Sequence, residues 1–299
     1  MFRGWLAALV TGVVWNAAAQ VASTPQVGAY VSSARSFTTS SYWIEGREGL
    51  ILVDTQFLPS EAAAFADKAE RDTGKKARVA FVLHPNPDKY NGTATLQARG
   101  VKVLTSEQVK ALIPDVHELR KSWFYDDYAP DYPKETPAPD TFGAATKILD
   151  IDGVHLVAHV LGAGCSGAHV VLQVGGSVFV GDLVNPANHA WLELGTIDEW
   201  VARLEEIRLM RPAHIYPGRG PAGGVELLDR QIEYLRFVQH TVRDAEPHGD
   251  LGRLRKLWLQ WQIESAYPDL RYPRFMGDGL TRVWEVEARK RDRPRSPAR

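Results

Sequence analysis

The stretch from Val79 to Lys89 constrains this chain more than any other. Val79-Ala80-Phe81-Val82-Leu83 is apolar throughout, the pattern of a strand covered on both faces. His84-Pro85-Asn86-Pro87-Asp88-Lys89 follows at once. Two prolines so close together cannot continue a strand, so the chain must turn into a rigid loop carrying an imidazole, an amide, a carboxylate and an ammonium. A sheet buried on both faces needs helices to cover it, and sheets of that kind place their chemistry on the loops at strand ends.

Three other loops follow the same plan, each after an apolar run: Gly162-Ala163-Gly164-Cys165-Ser166-Gly167, Gly181-Asp182-Leu183 and Pro217-Gly218-Arg219-Gly220. Ser41–Ile44 and Leu50–Val53 flank a short turn containing Gly46 and Gly49, a hairpin signal. Val170–Val174 and Ser177–Val180 flank Gly175-Gly176, a stronger one. A helix is expected from the N-cap Ser60 to Thr73, stopped by Gly74, and a short one from Ser106. Thr196-Ile197-Asp198-Glu199 has capping-box form, and the apolar residues after it fall at helical spacing. Further helices are expected over Val225–Ala245 and Leu254–Ser265. The segment Trp123–Phe142, with Trp123, Phe124, Tyr125, Tyr128 and Tyr132, reads as a surface loop packed by its own aromatics or as a wall over a cleft. Each half of the chain runs strands then helix.

At 299 residues, 44% hydrophobic and 24% charged, the chain suits one large α/β domain or two small ones. A net charge of -1 gives no global attraction to nucleic acid or anionic membrane. The two ends differ from the rest. Arg3, the apolar stretch Trp5–Trp15 and Ala17-Ala18-Ala19 have the form of a signal peptide over residues 1–19, cleaved before Gln20. The expected destination is the periplasm or the medium. Arg289, Lys290, Arg291, Arg293, Arg295 and Arg299 predict a basic disordered tail over 286–299, leaving 20–285 as the folded domain. The single cysteine, Cys165, cannot form an internal disulfide and needs burial or coordination in an oxidising compartment.

The four loops, in this order and each after its strand, resemble those of the metallo-β-lactamase superfamily. The resemblance covers roughly Ser41–Leu235 and implies an α/β, four-layer αββα sandwich. That family's first motif reads His-x-His-x-Asp-His. Its first two histidines join a third, from a Gly-His-Thr/Ser-x-Gly loop, on one zinc. The aspartate, the last histidine and the histidine of a Pro-Gly-His-Gly motif hold a second, and the aspartate of a Gly-Asp-Leu motif bridges the pair in many members. Here His84 matches the first histidine, Asp88 the aspartate and Asp182 the bridging aspartate. Asn86 replaces the second histidine with a poor zinc ligand. Cys165 replaces the third-loop histidine, and as thiolate it binds zinc well. Lys89 and Arg219 replace the two second-site histidines and cannot coordinate metal.

The candidate metal ligands implied are His84, Asp88, Cys165 and Asp182, with Asn86 and His169 as further candidates. One zinc at most is expected, with an empty pocket as the alternative. Lys89 and Arg219 bring two positive charges to the place of the second ion, so they are expected to pair with Asp88 and Asp182, since unpaired buried carboxylates cost several kcal/mol. Arg219 suits a two-pronged grip on one carboxylate. His155, His159, His189 and His214 read as satisfied core or surface histidines.

The resemblance implies an exported hydrolase of a small ester, amide or thioester. Asp88 would be the base, or a metal-activated water the nucleophile, and Lys89 or Arg219 would stabilise the oxyanion. The alternative is a non-catalytic binding protein whose cleft takes a small anion or a protein partner. Asn86, Lys89 and Arg219 argue against β-lactam hydrolysis, and a basic run only in the tail argues against a nuclease. Expected partners are a small-molecule substrate or anion, with no nucleic acid and no membrane once the leader is removed. The oligomeric state is open.

Overall fold

The computed structural model describes residues 26–292. One sheet holds β1 (Val27–Val31), β2 (Ser40–Glu45), β3 (Gly49–Val53), β4 (Lys76–Phe81), β5 (Lys102–Ser106) and β6 (Asp140–Gly143) in that spatial order. The first three strands are antiparallel and β3 to β6 are parallel. The other sheet holds β7 (Lys147–Ile151), β8 (Val154–Leu161), β9 (His169–Val174), β10 (Ser177–Gly181) and β11 (His214–Pro217), ordered β11-β10-β9-β8-β7. There only β10 and β11 run parallel. The helices are α1 (Pro59–Thr73), α2 (Pro87–Tyr90), α3 (Thr93–Ala98), α4 (Glu107–Tyr128), α5 (Ile197–Leu209), α6 (Glu226–Asp244), α7 (Arg253–Ala266) and α8 (Pro273–Asp292).

Strand periodicity sorts the core into two layers. Val170, Leu172 and Val174 of β9 face the first sheet and belong to one continuous core with Leu52 and Phe81 of that sheet, Phe65 of α1 and Val109 of α4. Val171 between them, with Val178 and Val180 of β10, faces the second helical layer, meeting Trp200 of α5, Leu235 of α6, Leu259 of α7 and Trp284 of α8. Side chains two apart on a strand share a face, so β9 and β10 serve both cores. The result is helix, sheet, sheet, helix. The two sheets join at the end of the run that defined the fold: the Leu83 carbonyl accepts from the Val170 N–H of β9 at 2.6 Å.

The expected hairpins are present across Gly46–Gly49 and Gly175-Gly176. Gly74 ends α1 in a left-handed conformation at φ 70°, which glycine adopts at no steric cost. α1 begins at Pro59, with Leu58 rather than Ser60 at the N-cap, because proline's fixed φ suits the first helical position. The short helix expected at Ser106 runs 22 residues to Tyr128. It therefore takes in Trp123, Phe124, Tyr125 and Tyr128, which the sequence placed in a loop. Its buried stripe is Val109, Ile113, His117, Arg120 and Phe124; two polar members hide the helical period.

α8 has no counterpart among the expected elements. Its buried face combines Phe275, Met276, Leu280, Val283, Trp284 and Ala288 with Gly277 and Gly279, and glycines together with many arginines disguise the pattern. The helix includes Arg289, Lys290 and Arg291 in its last turn, where cations meet the negative end of the helix dipole. Lys290 also pairs with Glu287 at 2.6 Å. The folded domain thus extends past residue 285 to Asp292, correcting the expected start of a disordered tail. Residues 293–299 and the expected signal peptide lie outside the described residues.

If α8 is integral to the core, Trp284→Ala lowers unfolding free energy by about 3–5 kcal/mol, as large buried aromatics do. Trp261→Ala, at a position 63% exposed, changes it by less than about 0.5 kcal/mol. Urea denaturation of the two variants measures the contrast.

Candidate active site

The loops converge at one end of the sandwich. The pair of prolines after β4 resolves into a turn and then a single helical turn, α2. Pro87 fills its first position and Asn86 sits at its N-cap. That turn presents Asp88 and Lys89 side by side. Cys165 and Ser166 come from the β8–β9 loop, His169 begins β9, Asp182 follows β10 and Arg219 follows β11. Gly218 lets the last two meet: a Cβ there would lie 2.1 Å from Asp182 Oδ1 and 2.7 Å from the Gly181 carbonyl carbon.

Charge organises the inner half of the site. Arg219 reaches Asp182 Oδ2 through Nη1 at 2.6 Å and Asp88 Oδ2 through Nη2 at 2.6 Å. Its fork bridges two carboxylates and does not grip one with both prongs, which corrects the expected geometry; an acid stands on each side of it. Lys89 Nζ lies 2.9 Å from Asp88 Oδ2, 3.0 Å from Asp182 Oδ1 and 3.7 Å from Asp54 Oδ2. Asn86 Nδ2 donates to the other oxygen of Asp88 at 2.8 Å. All five charged side chains are buried.

Burial alone would raise the Asp182 carboxyl; Arg219 and then Lys89 outweigh it and hold that carboxyl well below the usual range. Burial alone would likewise lower Lys89, but Asp182, Asp88 and Asp54 keep it above the ordinary lysine value. Burial pushes Asp54 up to about 7, against the pull of Lys89 and of the Leu83 N–H. With Asp54 protonated, two carboxylates face two cations and the buried cluster is neutral.

The outer half of the site is a different group. His84 Nδ1 lies 3.0 Å from Ser166 Oγ. Its Nε2 is 3.7 Å from Asp182 Oδ2 and has no hydrogen-bond partner. His169 Nε2 accepts from the Ser166 N–H at 3.2 Å and lies 3.8 Å from Cys165 Sγ. Burial holds His169 well below the usual imidazole value, hence neutral, and holds the Cys165 thiol well above its usual value. Donor atoms of His84, Cys165 and His169 all lie within 4.8 Å of one another.

Of the expected metal set, the structure brings together His84 and Cys165, with His169 as their third member. Asp88 and Asp182 turn to the cations, and Asn86 turns to Asp88. The residues present do not fit a second metal ion, because Lys89 and Arg219 fill the space beside both carboxylates. The set that could hold one ion is His84, Cys165 and His169, where His84 Nε2 lacks a partner and His169 Nε2 would exchange the Ser166 N–H for the ion.

An aromatic cover closes the site. Trp191 stacks on Phe275 of α8 with centroids 4.0 Å apart, and Phe275 lies 5.5 Å from the Arg219 guanidinium. Arg120 of α4 sits between Trp123 and Trp191, at 4.4 and 4.8 Å, and pairs with Glu193. The cavity bordered by His84, Cys165, Asp182, Arg120 and Trp191 measures about 10 Å³, roughly the space of one water molecule. Sequence reasoning missed Arg120 and Phe275, which carry no motif. It passed over Asp54, although an acid ending an apolar strand was a usable signal. Of the other histidines, His155 contacts Asp150 and His159 contacts Gln173, as expected, and His214 is exposed; His189 Nδ1 meets the Tyr234 hydroxyl but its Nε2 is buried without a partner, as are both ring nitrogens of His117.

Two outcomes follow from the charge cluster. Arg219→Met strips one cation from two buried carboxylates and lowers stability by about 3–5 kcal/mol; Arg219→Lys recovers only part, since one ammonium lacks the bridging fork. Denaturant midpoints measure both. Asp54 ionises near 4 when unfolded and at about 7 when folded. Its favourable contribution is full below pH ~4 and is lost as pH rises through about 7. The parent therefore loses stability relative to Asp54→Asn across that window and levels off above it; a stability difference flat with pH contradicts the assignment.

A sequence model of the metallo-beta-lactamase superfamily matches residues 35–219. No curated protein sequence gives a significant match. Among solved structures, a metallo-beta-lactamase from Pontibacter korlensis is similar at 19% identity and a TM-score of 0.58, over 73% of this chain and 97% of its own. The DIM-1 metallo-beta-lactamase, in a crystal exposed to ceftazidime, aligns at 17% identity and 0.56, over 73% and 95%. The FIM-1 enzyme of Pseudomonas aeruginosa, in a mono-zinc form, aligns at 19% identity and 0.53, over 71% and 89%. Likeness at this identity speaks for the fold alone. The family match across most of both sheets, on a four-layer αββα sandwich, means that the chain belongs to the metallo-β-lactamase superfamily.

Proposed function

We propose that this protein is an exported hydrolase of small esters, amides or thioesters that works with a single metal ion held by His84, Cys165 and His169. The observation that carries the reading is that group of three buried donors within 4.8 Å, together with the partnerless Nε2 of His84. A buried ring nitrogen with no partner costs about 1–3 kcal/mol, which coordination would relieve. With Ser166 Oγ, 3.0 Å away, accepting the Nδ1 proton of His84, Nε2 would keep its lone pair, the arrangement that orients a ligating histidine. Zinc is the ion a two-imidazole, one-thiolate set suits. Once bound, it would polarise a carbonyl and acidify a water.

The other residues take roles different from those expected. Both oxygens of Asp88 are engaged, by Arg219, Lys89 and Asn86, so we assign Asp88 to the charge cluster and not to proton abstraction. Lys89 and Arg219 are likewise held by carboxylates and are not free to meet an oxyanion. Arg120 borders the cavity with Nη1 buried and unpartnered; it is the group placed to meet developing negative charge. Substrate reaches it only when the Trp191–Phe275 stack parts, a gating step of the kind that limits many enzymes.

A second reading rests on the cavity itself. At about 10 Å³ it admits no substrate as it stands, which favours a non-catalytic protein that keeps the fold and holds a small anion. Metal analysis with activity assays separates the two. The hydrolase reading expects close to one equivalent of zinc, lost in Cys165→Ser and in His84→Ala, with binding tightening as pH rises because the thiol must ionise. It also expects metal-dependent cleavage of chromogenic esters or thioesters, reduced at least about tenfold in Arg120→Met. A protein that takes up no zinc and gains no thermal stability from it ends the metal reading. A protein that binds zinc and turns over none of these substrates is the binding protein.

A further inference from the structure

We propose that the outer face of α7 seats this protein on an anionic membrane surface. The described residues expose nine large apolar side chains, and four of them fall between Leu254 and Trp261. They are Leu254 at 83%, Leu257 at 52%, Trp258 at 45% and Trp261 at 63% exposure. Their spacing of i, i+3, i+4 and i+7 makes one stripe along the helix. The opposite face, Leu259 and Ile263, is packed in the core. Scattered surface hydrophobics need no explanation, but a continuous stripe with two tryptophans does.

The charges around the stripe identify what covers it. At about 100° per residue, Arg253 falls on one flank and Arg255 on the other. Both arginines are exposed. Glu264, hydrogen-bonded by Gln260, is the one acid within α7 and lies at its far end. A cleft of about 880 Å³ opens beside the first turn, lined by Asp250, Arg253, Leu254, Arg255 and Trp258. Tryptophan and leucine between flanking arginines suit the boundary between headgroups and acyl chains, where arginine stems lie along apolar surface and their guanidinium groups meet lipid phosphates. A second copy docked face to face would bring the same arginines to the contact, where like charges oppose it. Anionic headgroups neutralise them. No helix among the described residues is long and apolar enough to cross a membrane, so this contact lies on the surface. It departs from the sequence expectation of no membrane partner.

Vesicle co-sedimentation of the full chain tests the proposal, comparing phosphatidylcholine alone with phosphatidylcholine containing phosphatidylglycerol. The parent should bind the anionic vesicles with a blue shift in tryptophan emission, and lose the binding at high salt. Trp258→Ser with Trp261→Ser, and separately Arg253→Glu with Arg255→Glu, should each weaken partition by roughly tenfold or more, since each arginine near an anionic surface counts for about fivefold. Unchanged circular dichroism and melting temperature show that the variants fold. Variants that bind like the parent overturn the proposal and assign any binding to another part of the chain, such as the apolar stretch Trp5–Trp15. A parent that binds neither vesicle overturns it too. So does a dimer in light scattering that the tryptophan substitutions dissociate, because the stripe is then an interface between copies.

Discussion

Five buried ionisable side chains, Asp54, Asp88 and Asp182 with Lys89 and Arg219, hold the strand ends of both sheets together. Asp54 comes from the end of β3, Asp88 and Lys89 from the turn after β4, Asp182 from the end of β10 and Arg219 from the end of β11. No pair of them could be removed from water alone without a penalty of several kcal/mol per ion. Together they are close to neutral, and each carboxylate has a cation within about 3.7 Å. In this superfamily that position is where metal cations are expected. Here the cations are covalently part of the chain, so assembly of the two sheets does not wait for a second metal ion.

That arrangement divides the site. The inner half is turned to its own ion pairs, each oxygen of Asp88 and Asp182 lying beside a cation or the Asn86 amide. The outer half keeps neutral donors: two imidazoles, and a thiol that burial holds protonated. One ion is the charge such a pocket can accept, because a thiolate released by coordination would offset part of it. The aromatic cover from α4, the loop at Trp191 and α8 then removes the pocket from water. It raises the strength of every interaction inside, at the cost of a closed entrance.

The sequence showed much of this, unevenly. The apolar run ending at His84 was enough to place a doubly covered sheet and its functional loop, because strand burial and proline sterics are local. The pairing of Lys89 and Arg219 with Asp88 and Asp182 was legible as a family pattern with its histidines exchanged for cations, since charge conservation at a buried site leaves few alternatives. The bridging mode of Arg219 was not legible: it depends on two acids from different sheets meeting within one guanidinium's span. His169 was only a further candidate, because whether a residue beginning β9 faces Cys165 depends on how the preceding loop folds back. α8 and the buried part of α4 escaped because Arg120, His117 and paired glycines interrupt the hydrophobic period that betrays a helix. Asp54, the third acid beside Lys89, sat in plain view at the end of β3 without a motif to single it out.

The most direct test of the account is anomalous diffraction from crystals soaked in zinc. The account predicts one anomalous peak, between His84, Cys165 and His169, with Arg219 still bridging Asp88 and Asp182 and Lys89 still beside them. A peak between Asp88 and Asp182, with Lys89 and Arg219 displaced, would contradict it.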